Sequence, residues 1–179
     1  GAAAGVLIDV HAQTEGFSIT GGGLADSITG GAGGDSISAG AGADVVYGFL
    51  GADTIDGGAD ADTLVITATS ADLNTAGADD ARLVSVEAVY AADALAGVII
   101  SLTAQTEGFS ITGGAFADSL TGGSGADFID AGLGNDSIYG FAGADTVNGG
   151  DGVDTLFINA TSPDLNTVGA GDDRIVGVE

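Results

Sequence analysis

The stretch that decides the fold runs from Gly21 to Val65 and reads GGGLADSIT, GGAGGDSIS, AGAGADVVY, GFLGADTID and GGADADTLV in blocks of nine. In each block, six glycine-rich residues end in Asp, and the three that follow carry a large apolar side chain in the middle. Side chains alternate along a short strand, which places that middle residue inward and its neighbours outward. Each nonapeptide is therefore predicted to form a turn and a short strand, and two nonapeptides to form one 18-residue coil.

The pattern returns from Gly113 to Phe157 as GGAFADSLT, GGSGADFID, AGLGNDSIY, GFAGADTVN and GGDGVDTLF. Both blocks belong to a larger repeat of 92 residues, because Gln13–Gly22 recurs as Gln105–Gly114. We predict two repeat units, 1–92 with the block 21–65 and 93–179 with the block 113–157. The predicted inward residues are Ile28, Ile37, Val46, Ile55, Leu64, Leu120, Ile129, Ile138, Val147 and Leu156.

This pattern resembles the repeats-in-toxin (RTX) family, whose repeat is G-G-x-G-x-D-x-U-x with U a large apolar residue. The resemblance implies an all-β fold, a parallel β-roll or β-solenoid, with Ca²⁺ as its cofactor. It also implies that each ion lies between one turn and the turn two repeats later, on the same edge. The implied carboxylate pairs are Asp26 with Asp44, Asp44 with Asp62, Asp35 with Asp53, Asp118 with Asp136, Asp136 with Asp154, and Asp127 with Asp145.

Backbone carbonyls of the turn glycines are the remaining ligands that the resemblance implies. Leu24 and Phe116 stand where the family has its third glycine, so the first turn of each block is the weakest expected site. Other departures are Asp60 at that same position, Phe49 and Phe141 for the second glycine, and Ala39 and Ala131 for the first. The expected glycine ligands are Gly30, Gly31, Gly33, Gly40, Gly42, Gly48, Gly51, Gly122, Gly123, Gly125, Gly132, Gly134, Gly140, Gly143, Gly149, Gly150 and Gly152.

The charge balance also favours a metal. The chain has 26 acidic and 2 basic residues and a formal charge of -24, so internal salt bridges cannot neutralise its carboxylates. Ca²⁺ takes six to eight oxygen ligands and accepts carboxylates and backbone carbonyls alike. The same balance excludes nucleic acid as a partner, because no basic patch exists to meet phosphate. There is no cysteine for disulfides or thiolate metal sites, and no apolar run long enough for a membrane span.

Residues 67–112, between the blocks, lack the nonapeptide pattern. Strands are predicted within 82–90, 97–102 and 109–112, and a turn or short helix at 69–74. The 92-residue period is about five 18-residue coils plus two residues. This ratio favours one continuous solenoid with calcium-free β coils between the blocks. A separate β-subdomain between two rolls is the alternative.

Several conspicuous side chains have unremarkable interpretations. His11 is replaced by Thr103 in the second unit, which favours a surface role, and carboxylate pairs in the turns are explained by calcium rather than glycosidase chemistry. We therefore do not expect an enzyme. Local ion pairs are expected for Arg82 and Arg174, beside Asp80 and Asp172. Within each block Tyr47, Val65, Tyr139 and Phe157 share one face, either as ordinary exposed residues or as a lateral contact strip for assembly.

These features predict a calcium-binding structural segment of a large secreted bacterial surface protein, such as a surface layer, an adhesin stalk or an extracellular filament. The alternative is the calcium-triggered secretion and folding module of a type I-secreted exoenzyme or toxin. Calcium levels outside cells suit sites of modest affinity, which favours an extracellular or cell-surface location. Residues 4–8 match the interior strand 96–100, so self-association is expected end to end as well as laterally.

Overall fold

A computed structural model describes residues 4–75, 81–158 and 175–178, which form a β-solenoid of parallel strands. Glycine-rich turns reverse the chain after each short strand, so successive strands lie on opposite walls. One wall is a single nine-stranded sheet. Its strands are β1 (Leu7–Asp9), β3 (Ser27–Thr29), β5 (Val45–Tyr47), β7 (Thr63–Val65), β9 (Ala88–Tyr90), β11 (Ser110–Thr112), β13 (Phe128–Asp130), β15 (Thr146–Asn148) and β17 (Ile175–Val176).

The opposite wall consists of two four-stranded parallel sheets. The first contains β2 (Ser18–Gly22), β4 (Ser36–Ala41), β6 (Thr54–Ala59) and β8 (Leu83–Val84). The second contains β10 (Ile99–Ser101), β12 (Ser119–Thr121), β14 (Ser137–Tyr139) and β16 (Thr155–Phe157). The all-β, parallel solenoid predicted from the repeats is therefore confirmed.

The core is a row of apolar side chains along each wall. In the nine-stranded sheet Ile28 pairs with Val46 and Val46 with Leu64, and all three are at most 1% exposed. Parallel pairing in register brings the middle residues of successive strands into contact, while the flanking Ser and Thr residues face outward. The predicted inward residues are buried, except that Leu156 is partly exposed.

The break in the second wall lies beside a short helix, α1 (Ala71–Thr75). Asn74 stands in for a neighbouring strand of β10: its Oδ1 accepts the Ser101 N–H at 2.9 Å, and its Nδ2 donates to the Ile99 carbonyl at 3.1 Å. The Ile99 N–H donates to Thr69 Oγ1 at 2.9 Å. On the other wall β7, β9 and β11 pair without interruption, so the described coils form one continuous stack. Among the described residues, no helix is long and apolar enough to cross a membrane.

The two blocks face opposite ways. Ile28 lies on the nine-stranded wall, whereas its counterpart Leu120 lies on the other wall. Nine strand steps separate β3 from β12, and an odd number of half-coils exchanges the walls. The expectation of about five coils per 92 residues is wrong: the unit spans four and a half. The physical reason is that coils between the blocks are longer than 18 residues, with Leu64 paired to Val89 and Val89 to Ile111.

Candidate metal centre

The ten aspartates that end the nonapeptide turns are all buried. None is more than 4% exposed, although each carries a carboxylate in a chain with a formal charge of -24. A buried carboxylate is costly unless it is hydrogen-bonded or paired with a cation. The relevant residues are Asp26, Asp35, Asp44, Asp53, Asp62, Asp118, Asp127, Asp136, Asp145 and Asp154.

One carboxylate oxygen, Oδ1, links successive turns by a hydrogen bond. Asp44 Oδ1 accepts the N–H of Asp26 at 2.7 Å, and Asp62 Oδ1 accepts that of Asp44 at 2.8 Å. The same bond, at 2.7 to 2.9 Å, joins successive turns elsewhere on both edges of the solenoid. The structure thus brings together every carboxylate pair expected from the sequence: 26 with 44, 44 with 62, 35 with 53, 118 with 136, 136 with 154, and 127 with 145.

The second oxygen separates the turns into two kinds. We call the first two turns of each block (21–26, 30–35, 113–118 and 122–127) the opening turns. In them Oδ2 accepts a backbone N–H from the second residue of the same turn. The bonds run from Gly22 to Asp26 at 2.5 Å, Gly31 to Asp35 at 2.8 Å, Gly114 to Asp118 at 2.7 Å, and Gly123 to Asp127 at 2.9 Å.

The remaining turns (39–44, 48–53, 57–62, 131–136, 140–145 and 149–154) are called the inner turns. In most of them the second carboxylate oxygen is buried without a hydrogen-bond partner, an arrangement that costs about 1–3 kcal/mol or more for a charged group. A bound cation removes that cost. The oxygens concerned include Oδ2 of Asp44, Asp53, Asp62, Asp136 and Asp154.

Backbone conformation follows the same division. Each inner turn has two residues with positive φ, such as Gly40 at 117° and Gly42 at 109°. Asp60 adopts φ 78° where the sequence lacks glycine. Of the glycines expected as ligands, the left-handed ones are Gly40, Gly42, Gly48, Gly51, Gly132, Gly134, Gly140, Gly143, Gly150 and Gly152; the others are Gly30, Gly31, Gly33, Gly122, Gly123, Gly125 and Gly149.

Carbonyl oxygens line the space between each inner turn and the preceding turn on the same edge, which we call the inter-turn site. A Cβ added to Gly40 would overlap the carbonyl oxygen of Gly22, and one added to Gly58 would overlap that of Gly40. A Cβ at Gly51 would lie 2.6 Å from the carbonyl oxygen of Gly33. Only glycine therefore lets these turns approach each other so closely. Carboxylate and carbonyl oxygens are the donors that Ca²⁺ prefers.

The inter-turn site is poor in charged side chains. Within the described ranges, no three His, Cys, Asp or Glu side chains converge to hold a metal. Carboxylate and backbone carbonyl oxygens are donors that suit Ca²⁺ rather than a transition metal.

Carboxyl pKa values reflect the burial of these groups. Burial raises the pKa of Asp53 and of Asp136 to about 6, and neighbouring carboxylates add to the effect at both. Burial likewise raises the pKa of Asp62 and of Asp127. A cation in the inter-turn site favours the ionised form and opposes this shift.

Successive turns on one edge of the solenoid form a row. The sequence did not predict which side chains contact the last turn of each row in the first block. Glu87 Oε2 accepts the N–H of Asp62 at 2.7 Å, as the aspartate of a following nonapeptide would. The expected partner of Arg82, Asp80, lies outside the described residues, so that ion pair stays a prediction. The Arg82 guanidinium donates to two carbonyls of the turn 48–53. The signal for Glu87 was its tripeptide Ser85-Val86-Glu87, a shortened turn with φ 50° at Ser85.

Two further predictions concern His11 and Arg174. His11 is exposed, and its Nδ1 lies 2.6 Å from Asp9 Oδ1. The His11 N–H and ring lower the pKa of Asp9. Arg174 and Asp172 lie outside the described residues.

Comparison with known proteins agrees with this geometry. No curated protein and no solved structure matched the chain. The RTX calcium-binding nonapeptide repeat matched in four copies, at residues 20–48, 29–64, 110–138 and 125–156, which together cover slightly more than half of the sequence. The buried aspartates and the left-handed glycines of the inner turns lie within those stretches. The chain is a member of the RTX calcium-binding nonapeptide repeat family.

Proposed function

We propose that each inner turn, together with the preceding turn on its edge, binds one Ca²⁺ ion, and that these ions hold the solenoid together. The supporting observation is the set of buried Oδ2 atoms without partners, found in inner turns and absent from the opening turns, where a glycine N–H satisfies the same atom. The proposed ligands are that oxygen and the carbonyl oxygens of the glycines facing the inter-turn site.

Calcium-dependent folding tests this proposal. Without the ion, buried carboxylates repel one another, and glycine-rich turns lose much conformational entropy on ordering. Circular dichroism in excess chelator should show loss of β structure, and Ca²⁺ should restore it. Mg²⁺ at equal concentration is the control and should restore much less, because it keeps its own waters and demands octahedral geometry. A spectrum that chelator leaves unchanged contradicts the proposal.

We further propose that this calcium-built segment is a spacer in a secreted bacterial surface protein and has no catalytic role. Two closely similar units joined in one stack support a length-setting role. An exoenzyme or toxin module would share the calcium-dependent folding. A full-length sequence with many further 92-residue units favours the spacer, whereas a catalytic domain next to a single pair of units favours the exoenzyme.

Lateral association with a second copy is the partner interaction that we propose. Net charge is concentrated in turns, whereas the outward residues of the sheet β10-β12-β14-β16 are uncharged. Tyr139 and Phe157 stack there with ring centroids 4.5 Å apart. Tyr47 occupies the equivalent position of the first block on the opposite wall, whereas Val65, also predicted in this strip, is buried. Units that alternate in this way present a contact strip to neighbours on both sides.

Each such contact is small. Four strands of three residues cover roughly 200 Å², against about 800 Å² per partner in a stable complex. Association should therefore depend on several units acting together. Sedimentation velocity at saturating Ca²⁺ should show self-association that increases from two units to four. Substituting Tyr47, Tyr139 and Phe157 by Ser should weaken it. A monomer at high concentration in both lengths contradicts lateral association and favours the exoenzyme-module interpretation.

A further inference from the structure

The row of turns 30–35 and 48–53 ends at a cationic side chain. The carbonyl oxygen of Gly33 faces the next turn of this row, at Gly51. Gly51 is in the last nonapeptide turn of the row, and the next strand on this wall is β8. Its own carbonyl is met by the Arg82 guanidinium, with Nη2 3.4 Å from the oxygen.

The same guanidinium replaces a backbone donor. One coil earlier, the carbonyl of Asp35 accepts the N–H of Thr54 at 2.8 Å. The carbonyl of Asp53 instead accepts Arg82 Nε, also at 2.8 Å. Two carbonyls of this final turn, those of Gly51 and Asp53, thus accept hydrogen bonds from one positive group on the side where an earlier turn of the row faces the next turn.

The surroundings hold this guanidinium in place. Its central carbon lies 5.6 Å from the centroid of the Phe49 ring, and Phe49 is 1% exposed. Phe49 replaces the second glycine of its nonapeptide, so this departure from the repeat supplies the aromatic face that a cation prefers. Asp72 Oδ2 accepts the Gly51 N–H at 2.7 Å and adds negative charge to the same turn.

We propose that Arg82 is a built-in cation that closes this row in the place of a further Ca²⁺ ion. The proposal rests on the proposed calcium sites, since it concerns the carbonyls that would otherwise face the next one. Arginine suits the position because its guanidinium stays charged and donates several hydrogen bonds in a fixed plane. The other row of the block ends differently, on the anionic side chain of Glu87 at Asp62. Arg82 is a positioning residue: it fixes the turn 48–53 and thereby the inter-turn site of Asp53.

Calcium titration of Arg82 variants tests this assignment. Arg82→Ala should raise the Ca²⁺ concentration at the folding midpoint roughly tenfold, because charged hydrogen bonds to two carbonyls are lost. Arg82→Lys keeps the charge and should remain closer to the wild type. Ethylguanidinium at millimolar concentration should restore part of the loss in Arg82→Ala, whereas ethylurea, its uncharged analogue, should not.

The possible outcomes distinguish the role of Arg82 from the proposed calcium sites. A wild-type chain indifferent to calcium overturns both. A calcium-dependent wild type with an unchanged midpoint in Arg82→Ala overturns only the role of Arg82. A raised midpoint that neither Lys nor ethylguanidinium improves shows a packing role and also overturns the inference. If Arg82→Ala fails to fold even at saturating Ca²⁺, the Lys variant decides: folding with a midpoint near that of the wild type supports the cation, and failure to fold contradicts it.

Discussion

Opening and inner turns share one sequence motif but differ in structure. The opening turn 30–35 has glycine at all three motif positions, yet Oδ2 of its Asp35 already accepts a hydrogen bond from the Gly31 N–H. The inner turn 39–44 lacks the first glycine, yet Oδ2 of Asp44 is buried without a hydrogen-bond partner. Agreement with the motif therefore does not decide which turn is open for an ion. Position in the stack does.

The physical reason is that an inter-turn site needs two turns. Carbonyls of a turn face the next turn on the same edge, as Gly22 faces Gly40 and Gly40 faces Gly58. An opening turn has no nonapeptide turn before it on its edge, so its aspartate folds back onto its own backbone. Each inner turn contains two residues in the left-handed conformation, and in most of these turns Oδ2 of the aspartate is buried without a hydrogen-bond partner.

The largest expected effect comes from removing an inner carboxylate. Asp44 contributes to the proposed sites on both sides of its turn, and so does Asp136 in the second block. Replacing both by Ala should lower the number of bound Ca²⁺ ions, measured by isothermal titration calorimetry, by more than replacing Asp26 and Asp118. Equal losses from the two pairs of substitutions contradict the division into opening and inner turns.

A backbone substitution distinguishes the two kinds of turn at equivalent positions. Gly40→Ala forces a side chain into φ 117° and against the Gly22 carbonyl, a strain of about 1–3 kcal/mol before the overlap is counted. Gly22→Ala is the matched control, because its Cβ meets only Asp26 Oδ2 at 3.5 Å.

Thermal unfolding at saturating Ca²⁺ should show a clearly lower midpoint for Gly40→Ala and a small change for Gly22→Ala. A larger loss in Gly22→Ala would show that the opening turn, rather than the inner one, is the constrained conformation.

The pH dependence should have opposite signs with and without calcium. Burial raises the pKa of Asp53 and Asp136 to about 6, above the ordinary value, so the calcium-free fold binds these protons more tightly than the unfolded chain does. Its stability should therefore rise as the pH falls from 7.5 through 6. Bound calcium reverses the trend, because protons compete with the ion for the same oxygens.

Circular dichroism at pH 5 and 7.5, in chelator and in Ca²⁺, measures both signs. The double variant Asp53→Asn, Asp136→Asn is the control and should flatten the response in chelator. A chelated wild type with no more β structure at pH 5 than at pH 7.5 contradicts the assignment of these raised pKa values.

The smallest expected effect lies outside the turns. Phe157→Thr removes the ring stacked on Tyr139, an interaction worth about 0.5–1.5 kcal/mol. The melting temperature should fall slightly while the number of bound ions stays the same, because the side chain faces away from the inter-turn sites. A lost ion in this variant would mean that the ion count reports general stability rather than individual turns.

The repeats predicted the coil architecture, because it depends on spacing within a nonapeptide, and the resemblance to the RTX family implied the carboxylate pairs. The wall on which each strand of the second block lies could not be predicted from the repeats. It depends on the number of residues in the irregular coils, as between Leu64 and Val89. The first turn was predicted to be the weakest calcium site because of Leu24. In the structure the second turn is like the first, since Oδ2 of Asp35, like that of Asp26, accepts a glycine N–H of its own turn. The bond of Arg82 to the turn 48–53 was not predicted, because a single sequence does not show which carbonyls a row of turns leaves without a backbone donor.

The most direct test of the account is a crystal structure of the calcium-saturated chain with anomalous scattering from a lanthanide that replaces Ca²⁺. We predict anomalous peaks next to Asp44, Asp53, Asp62, Asp136, Asp145 and Asp154, each between an inner turn and the turn before it on its edge. The Oδ2 atoms of Asp26, Asp35, Asp118 and Asp127 should remain bonded to their own glycine N–H groups. Peaks bound to those four Oδ2 atoms, or empty inner turns at saturating ion, would contradict the account.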